Sequence, residues 1–184
     1  ALPSLVERTM ERFGRIDVLV NNAGIHPGQM TVMDMTSEYL DKLFAVNLKG
    51  PVRLAALVAP IMAEQGKGSV VNVSTVGAYA GGPGVGAYTS VKAALINFTK
   101  TMAREWAGLG IRVNAISPGP FASEMMKGTA KFDPEFMTRS GSATMQKRVA
   151  ECDEIIGAAV YLASDASSFV TGEDHVVSGG MLRC

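Results

Sequence analysis

Ile16-Asp17-Val18-Leu19-Val20-Asn21-Asn22-Ala23-Gly24 decides the fold. An apolar run of strand length breaks into a turn of small residues, which is how a parallel strand covered on both faces ends at its carboxyl edge. The pattern recurs at Ser69 to Ser74 and again at Ile111 to Ile116, which runs into Ser117-Pro118-Gly119. Helical signals stand between these runs. The chain opens in the back half of a helix, with Leu5, Val6, Met10 and Phe13 on one face and Gly14 as its stop. Ser37 is expected to cap a long helix to about Gln65, interrupted by Pro51 and Pro60 and closed by Gly66-Lys67-Gly68. Another helix is expected from Ala87 to Gly108. Residues 117–148 lack periodicity and carry Met125, Met126, Met137 and Met145, the character of a lid over a binding site. A last helix over about 153–163 and a short strand over about 175–178 complete the order β-α-β-α-β-lid-α-β. The expected fold class is α/β, a doubly wound parallel (Rossmann-like) sheet in a single domain, 1–184.

Composition narrows the function. The chain is 47% hydrophobic and 18% charged, with 17 basic and 17 acidic residues and zero formal net charge. No field therefore draws nucleic acid or an anionic membrane, and partners of either kind are not expected. No apolar run is read as approaching a membrane span, and no secretory leader is visible. Two cysteines, Cys152 and Cys184, make no disulfide framework, so a reducing, cytoplasmic setting is expected.

The chemistry lies in Tyr88 and Lys92. Four positions apart at the start of a helix, they share one face, so the ammonium can sit beneath the phenol ring. A phenol with an ordinary pKa near 10 holds its proton too tightly for base work at neutrality. A positive charge at roughly 4 Å, at an effective dielectric near 20, is worth about 4 kcal/mol and is expected to lower that pKa by up to about three units. Tyr88 then serves as a general acid or base. Thr75, thirteen residues earlier at the end of a strand pattern, supplies a second hydroxyl to hold a reacting oxygen. Ser74 is its rival, although strand alternation turns the two to opposite sides. Asn47 has its own signal: Pro51 stands where a helix would supply the amide hydrogen for the Asn47 carbonyl, which leaves that carbonyl free to hold a water and the helix bent. The glycine-rich loop, Gly77, Gly81, Gly82, Gly84 and Gly86, leads into the Tyr88 helix and is read as letting the backbone pass close to ligands, not as a phosphate cradle.

In that order and spacing, Asn21-Asn22-Ala23-Gly24, Asn47-Leu48-Lys49-Gly50, the hydroxyl thirteen residues before Tyr88-x-x-x-Lys92, Pro118-Gly119 and Gly179-Gly180 resemble the short-chain dehydrogenase/reductase family over almost the whole chain. The resemblance implies an NAD(P)-dependent oxidoreductase, using NAD or NADP, that interconverts a secondary alcohol and a ketone. It assigns Asn47, Thr75, Tyr88 and Lys92 to catalysis, with Asn47 anchoring a water and Lys92 also binding the nicotinamide ribose. Cofactor contacts carried over from the family fall on Asn22, Ala23 and Gly24, and on Pro118, Gly119, Phe121 and Ser123 near the nicotinamide. Thr75 and Ser123 depart from the serine and threonine that relatives usually carry there, each keeping the hydroxyl. Cys152 replaces a proline that many relatives use to open the last helix. The paired helices 37–65 and 87–108 resemble the family's dimer-forming surface, so a homo-oligomer, dimer or tetramer, is expected.

A first βα turn with a glycine-rich dinucleotide fingerprint is missing from this sequence. Two βα units of about 30 residues each, roughly sixty in all, would restore a whole domain, so the sequence reads as the C-terminal portion of one. The alternative function is a truncated, non-catalytic subunit or interaction module whose Ile16 strand is an exposed edge. His26 can line a substrate pocket, but with no partner at ligand spacing no metal site is expected. His175 is read as a subunit contact or surface residue, and Trp106 as an anchor against the core or a partner subunit.

Overall fold

A computed structural model describes residues 1–182; Cys184 lies outside the described residues. The chain runs α1 (Leu2–Phe13), β1 (Val18–Asn21), α2 (Ser37–Phe44), α3 (Gly50–Glu64), β2 (Gly68–Val73), α4 (Gly86–Trp106), β3 (Ile111–Pro118), α5 (Glu124–Ala130), α6 (Phe136–Ser142), α7 (Ile156–Ala163) and β4 (Asp174–Val177). The four strands pair in parallel in the order β1-β2-β3-β4, with Val20 opposite Val71, Val71 opposite Asn114 and Ala115 opposite Asp174. β1 is an edge of this sheet, and its Val18 and Val20 are exposed.

Alternation along β2 shows why both faces are covered. Val70 joins Val6, Ala55, Val58, Met62 and Met102 in a core formed with α1, α3 and α4, whereas Val71 packs with Ile116 and Leu162 of α7 on the other side. Polar residues follow the same division. Ser69 and Arg112 bond the Leu162 carbonyl at the end of α7, while Asn72 donates to Thr99 of α4. Every strand points its carboxyl end to one edge, where open α/β sheets collect their ligands.

Several boundaries differ from expectation. Thr36, not Ser37, caps α2, its hydroxyl accepting from the Tyr39 amide. The expected long helix is broken by a π turn, Ala45–Lys49, in which the Gly50 amide bonds the Ala45 carbonyl five residues back. Counted through that turn, Ser37–Glu64 is 28 residues with an 18-residue window of mean hydropathy 1.3, long and apolar enough by length and composition to cross a membrane. That corrects the reading that no apolar run approaches such a length. Leu43, Ala55, Val58, Ala59 and Met62 of this stretch are buried in the core. Residues 117–148, expected to form a lid, contain two short helices, α5 and α6, which their poor periodicity concealed. Gly14 closes α1 in the left-handed conformation as expected, but only Val6 of the apolar face is buried, and Leu5 and Phe13 are exposed. Trp106 packs against the core. His175 is half-buried beside the Tyr161 ring, with its Nδ1 buried and unpartnered among the described residues, so it is not a plain surface residue.

Candidate active site

Three loops at the carboxyl edge carry the predicted residues. After β1, Asn22 and Ala23 are exposed and Gly24 is half-buried. Asn47, fully buried in the π turn, reaches across to the following residue and grips its backbone from both sides: its Oδ1 accepts from the Ile25 amide at 2.8 Å and its Nδ2 donates to the Ile25 carbonyl at 2.8 Å. The bend expected from Pro51 is therefore present as a π turn. Its structural use is to aim the Asn47 side chain at the end of β1. Gly24 sits against this clamp. A Cβ there would lie 3.0 Å from Asn47 Oδ1 and 3.4 Å from Lys92 Nζ, so Gly24, Asn47 and Lys92 converge on one point.

β2 ends in the two rival hydroxyls, and the geometry separates them. Ser74 is buried and its Oγ donates to the Lys92 carbonyl at 3.0 Å, which ties the strand to α4. Thr75 is half-buried, and its Oγ1 accepts from the Gly77 amide at 3.2 Å as the cap of the turn Val76–Tyr79. That bond uses an oxygen lone pair and leaves the hydroxyl hydrogen free to donate.

Lys92 is almost wholly buried, with its Nζ donating to the Val73 carbonyl at 2.7 Å. No carboxylate pairs with it among the described residues, and burial lowers its pKa to about 8. Two further ammonium hydrogens are thus available beside Gly24. Tyr88 is half-buried in an apolar cluster with Leu43, Val91, Ile25 and Tyr39. Its hydroxyl makes no hydrogen bond to the described residues. Here one expectation is corrected: burial pushes the Tyr88 phenol above its ordinary pKa, not below it. Each group has left water on burial, and desolvation favours its neutral form. At neutral pH Tyr88 is therefore protonated.

After β3, Pro118 and Gly119 are half-buried and Phe121 is buried, bridging its backbone to Ala150. The Gly119 amide donates to the Val177 carbonyl at 2.9 Å, and a Cβ at Gly119 would lie 2.7 Å from the Ser178 Cα, so only glycine fits this crossing. Ser123 accepts from the Met126 amide and caps α5. A cavity of about 210 Å³ adjoins this loop, lined by Pro120, Phe121, Thr144, Ser178 and Gly179. A larger one, about 360 Å³, lies at the opposite edge of the sheet among Asp17, Lys67, Arg112 and Asp165, away from these hydroxyls. Cys152 is exposed at the start of a short turn that Glu151 and Glu154 close, with the Glu151 amide donating to Glu154.

Two features escaped the sequence reading. His26 lies edge to face with Tyr88, ring centroids 5.0 Å apart at 79°. Asp174, the first residue of β4, receives the Ser117 and Tyr79 hydroxyls at 2.6 and 2.5 Å, and burial together with this carboxylate pushes Tyr79 up to about 12.

Comparison with known proteins follows the same lines. A family model described as enoyl-(acyl carrier protein) reductase matches residues 1–182. The 3-oxoacyl-[acyl-carrier-protein] reductase FabG of Thermotoga maritima is 40% identical over 181 residues, 98% of this chain and 72% of that protein. Dehydrogenase/reductase SDR family member 4 of Caenorhabditis elegans is 35% identical, covering 96% of this chain and 69% of its own length. Among solved structures, a gluconate 5-dehydrogenase from Burkholderia cenocepacia in complex with NADP and tartrate superposes with a TM-score of 0.92 at 33% identity, over 98% of this chain and 70% of that one.

Proposed function

Because the chain belongs to the short-chain dehydrogenase/reductase family, we propose that it is an NAD(P)-dependent oxidoreductase that interconverts a secondary alcohol and a ketone, with Tyr88 as general acid/base. The observation that carries this reading is the convergence of Gly24, Asn47 and Lys92, with Lys92 one helical turn after Tyr88 on α4 and the clamped Ile25 packed in the Tyr88 cluster. The residues present suit a nicotinamide cofactor. A buried ammonium with two unspent hydrogens, set against the side-chain-free Gly24, matches a vicinal ribose diol. When bound, that cofactor supplies or accepts the hydride.

The chain's own residues do the rest. In reduction, the Thr75 and Tyr88 hydroxyls both donate to the substrate oxygen, which polarises the carbonyl and fixes its face. Tyr88 then releases its proton to the oxygen as negative charge builds there. Lys92 holds the ribose and stabilises the phenolate that remains, and Asn47 holds the Ile25 backbone while its carbonyl anchors a water to resupply the proton. In oxidation the same phenolate accepts the alcohol proton. Asn22, Ala23, Pro118, Phe121 and Ser123 complete the cofactor contacts in this reading. The names of the relatives, a 3-oxoacyl reductase and a gluconate dehydrogenase, support a ketone or alcohol carbon as the reacting centre. A cytoplasmic homo-oligomer belongs to the same proposal, supported by the exposed thiol of Cys152 and by exposed Phe98, Val160 and Phe169.

Titration of the protein with NAD(H) and NADP(H), followed by a screen of ketones and secondary alcohols at the cofactor absorbance, tests the proposal. Saturable binding with turnover supports it. No binding of either cofactor supports instead a non-catalytic module, for which the exposed β1 edge is the specific observation.

A further inference from the structure

His26 stands immediately beyond the Asn47 clamp, so its backbone leaves a point fixed by two 2.8 Å hydrogen bonds at Ile25. From there the imidazole lies edge to face against the Tyr88 ring. Neither ring nitrogen bonds a described protein group. Nε2 is buried without a partner, whereas Nδ1 is not sealed off from solvent. An orphaned ring nitrogen carries a desolvation penalty that an apolar side chain of similar shape would avoid. A residue serving only to pack against Tyr88 gains nothing from its nitrogens.

The chemistry of the ring limits what can use them. Burial holds His26 below its ordinary pKa, so the ring is neutral at neutral pH and offers one donor and one acceptor. If Nε2 carries the proton and directs it at the Tyr88 face, Nδ1 is an acceptor; if Nε2 is bare, Nδ1 is the donor. A hydroxyl pairs with Nδ1 in either tautomer, because it both gives and accepts. A carboxylate or a carbonyl oxygen only accepts, and so pairs with Nδ1 in just one of the two tautomers.

We propose that His26 is a specificity-determining residue that hydrogen-bonds a hydroxyl close to the reacting carbon, so that the substrates of this protein are hydroxyketones and the matching diols. The inference rests on the reading of Tyr88 as the acid/base, since that reading places the reacting carbon beside the imidazole.

The experiment compares kcat/KM for hydroxyacetone against acetone, and for hydroxycyclohexanone, with its hydroxyl on the adjacent carbon, against cyclohexanone, in the wild-type protein, His26→Ala, His26→Asn and Tyr88→Phe. The expected result is a wild-type preference for the hydroxylated member of each pair, reduced about ten- to a hundredfold in His26→Ala, the loss of one well-placed hydrogen bond. His26→Asn, which keeps a donor and an acceptor, recovers part of that preference and shows that lost packing is not the cause. A preference ratio unchanged in His26→Ala overturns the inference, as does a wild type that does not distinguish the paired ketones. In those cases Tyr88→Phe, if inactive on both, leaves the acid/base reading standing. Full activity in Tyr88→Phe instead removes that reading and the inference with it.

Discussion

Replacing Asn47 by alanine tests whether the clamp on Ile25 organises the site. The side chain is fully buried and makes two 2.8 Å hydrogen bonds, one to the Ile25 amide and one to its carbonyl. Truncation leaves both backbone groups without partners, at about 1–3 kcal/mol for each sealed from water. Ile25 is only half-buried, so water recovers part of the loss, and a fall in stability of about 2–3 kcal/mol is expected. With a urea dependence of about 2–3 kcal/mol per molar, the unfolding midpoint drops by about 1 M. The protein has one tryptophan, Trp106, packed on the core, and its fluorescence reports the transition directly. Asn47→Asp does not rescue, because it keeps the acceptor for the amide but sets a carboxylate against the Ile25 carbonyl. Turnover falls with stability, since the loop carrying Gly24 and His26 loses its anchor. A midpoint within about 0.2 M of wild type would show that the clamp contributes almost nothing and would refute the argument.

Other predictions concern the hydroxyls, the buried lysine and one glycine. Ser74→Ala is expected to lower stability by about 1 kcal/mol through the lost bond to the Lys92 carbonyl while kcat changes little; Thr75→Val lowers kcat about a hundredfold or more. Steady-state kinetics beside urea unfolding separates the two, and the reverse pattern would make Ser74 the substrate-facing hydroxyl. Lys92 titrates near 8 when folded and near 10.5 when unfolded, so between those values the unfolded chain binds the extra proton and stability rises with pH. Tyr79 and Tyr88, both raised, oppose this only above about 10. Stability of the cofactor-free protein should therefore climb from pH 8 to 10, by a few kcal/mol at most, and Lys92→Met should flatten that slope; an equal slope in both proteins contradicts the burial of the ammonium. Gly119→Ala forces a Cβ to 2.7 Å from the Ser178 backbone and is expected to cost about 2 kcal/mol or more, seen as a drop in Tm of several degrees. An unchanged Tm would show that the β3–β4 crossing yields freely.

Much of the fold was legible because parallel strands announce themselves. The runs at Val18, Val70 and Val113 are short, rich in valine and isoleucine, and each breaks into small residues at the edge where ligands collect. Helix ends were clear where glycine marks them, as at Gly14. What escaped has physical causes. A π turn differs from an α-helix by one residue of register, so periodicity could not show that Ala45–Lys49 rotates Asn47 toward Ile25. Helices α5 and α6 are seven residues each, too short to establish a period. For the site, spacing showed that Tyr88 and Lys92 share a helix face but not how deeply each is buried. That depth reverses the expected direction of the Tyr88 shift. Likewise His26 is close to Tyr88 only through the path of the chain after Gly24, which no local pattern encodes.

The most direct test of the account follows a labelled hydride. With reduced cofactor deuterated at the transferring position and a ketone that the wild type turns over, deuterium should appear on the carbinol carbon of the product. Tyr88→Phe should bind the cofactor with similar affinity yet transfer the label about 10²–10⁴-fold more slowly. Label transfer by Tyr88→Phe at the wild-type rate would contradict the assignment of Tyr88 as the acid that completes the reduction.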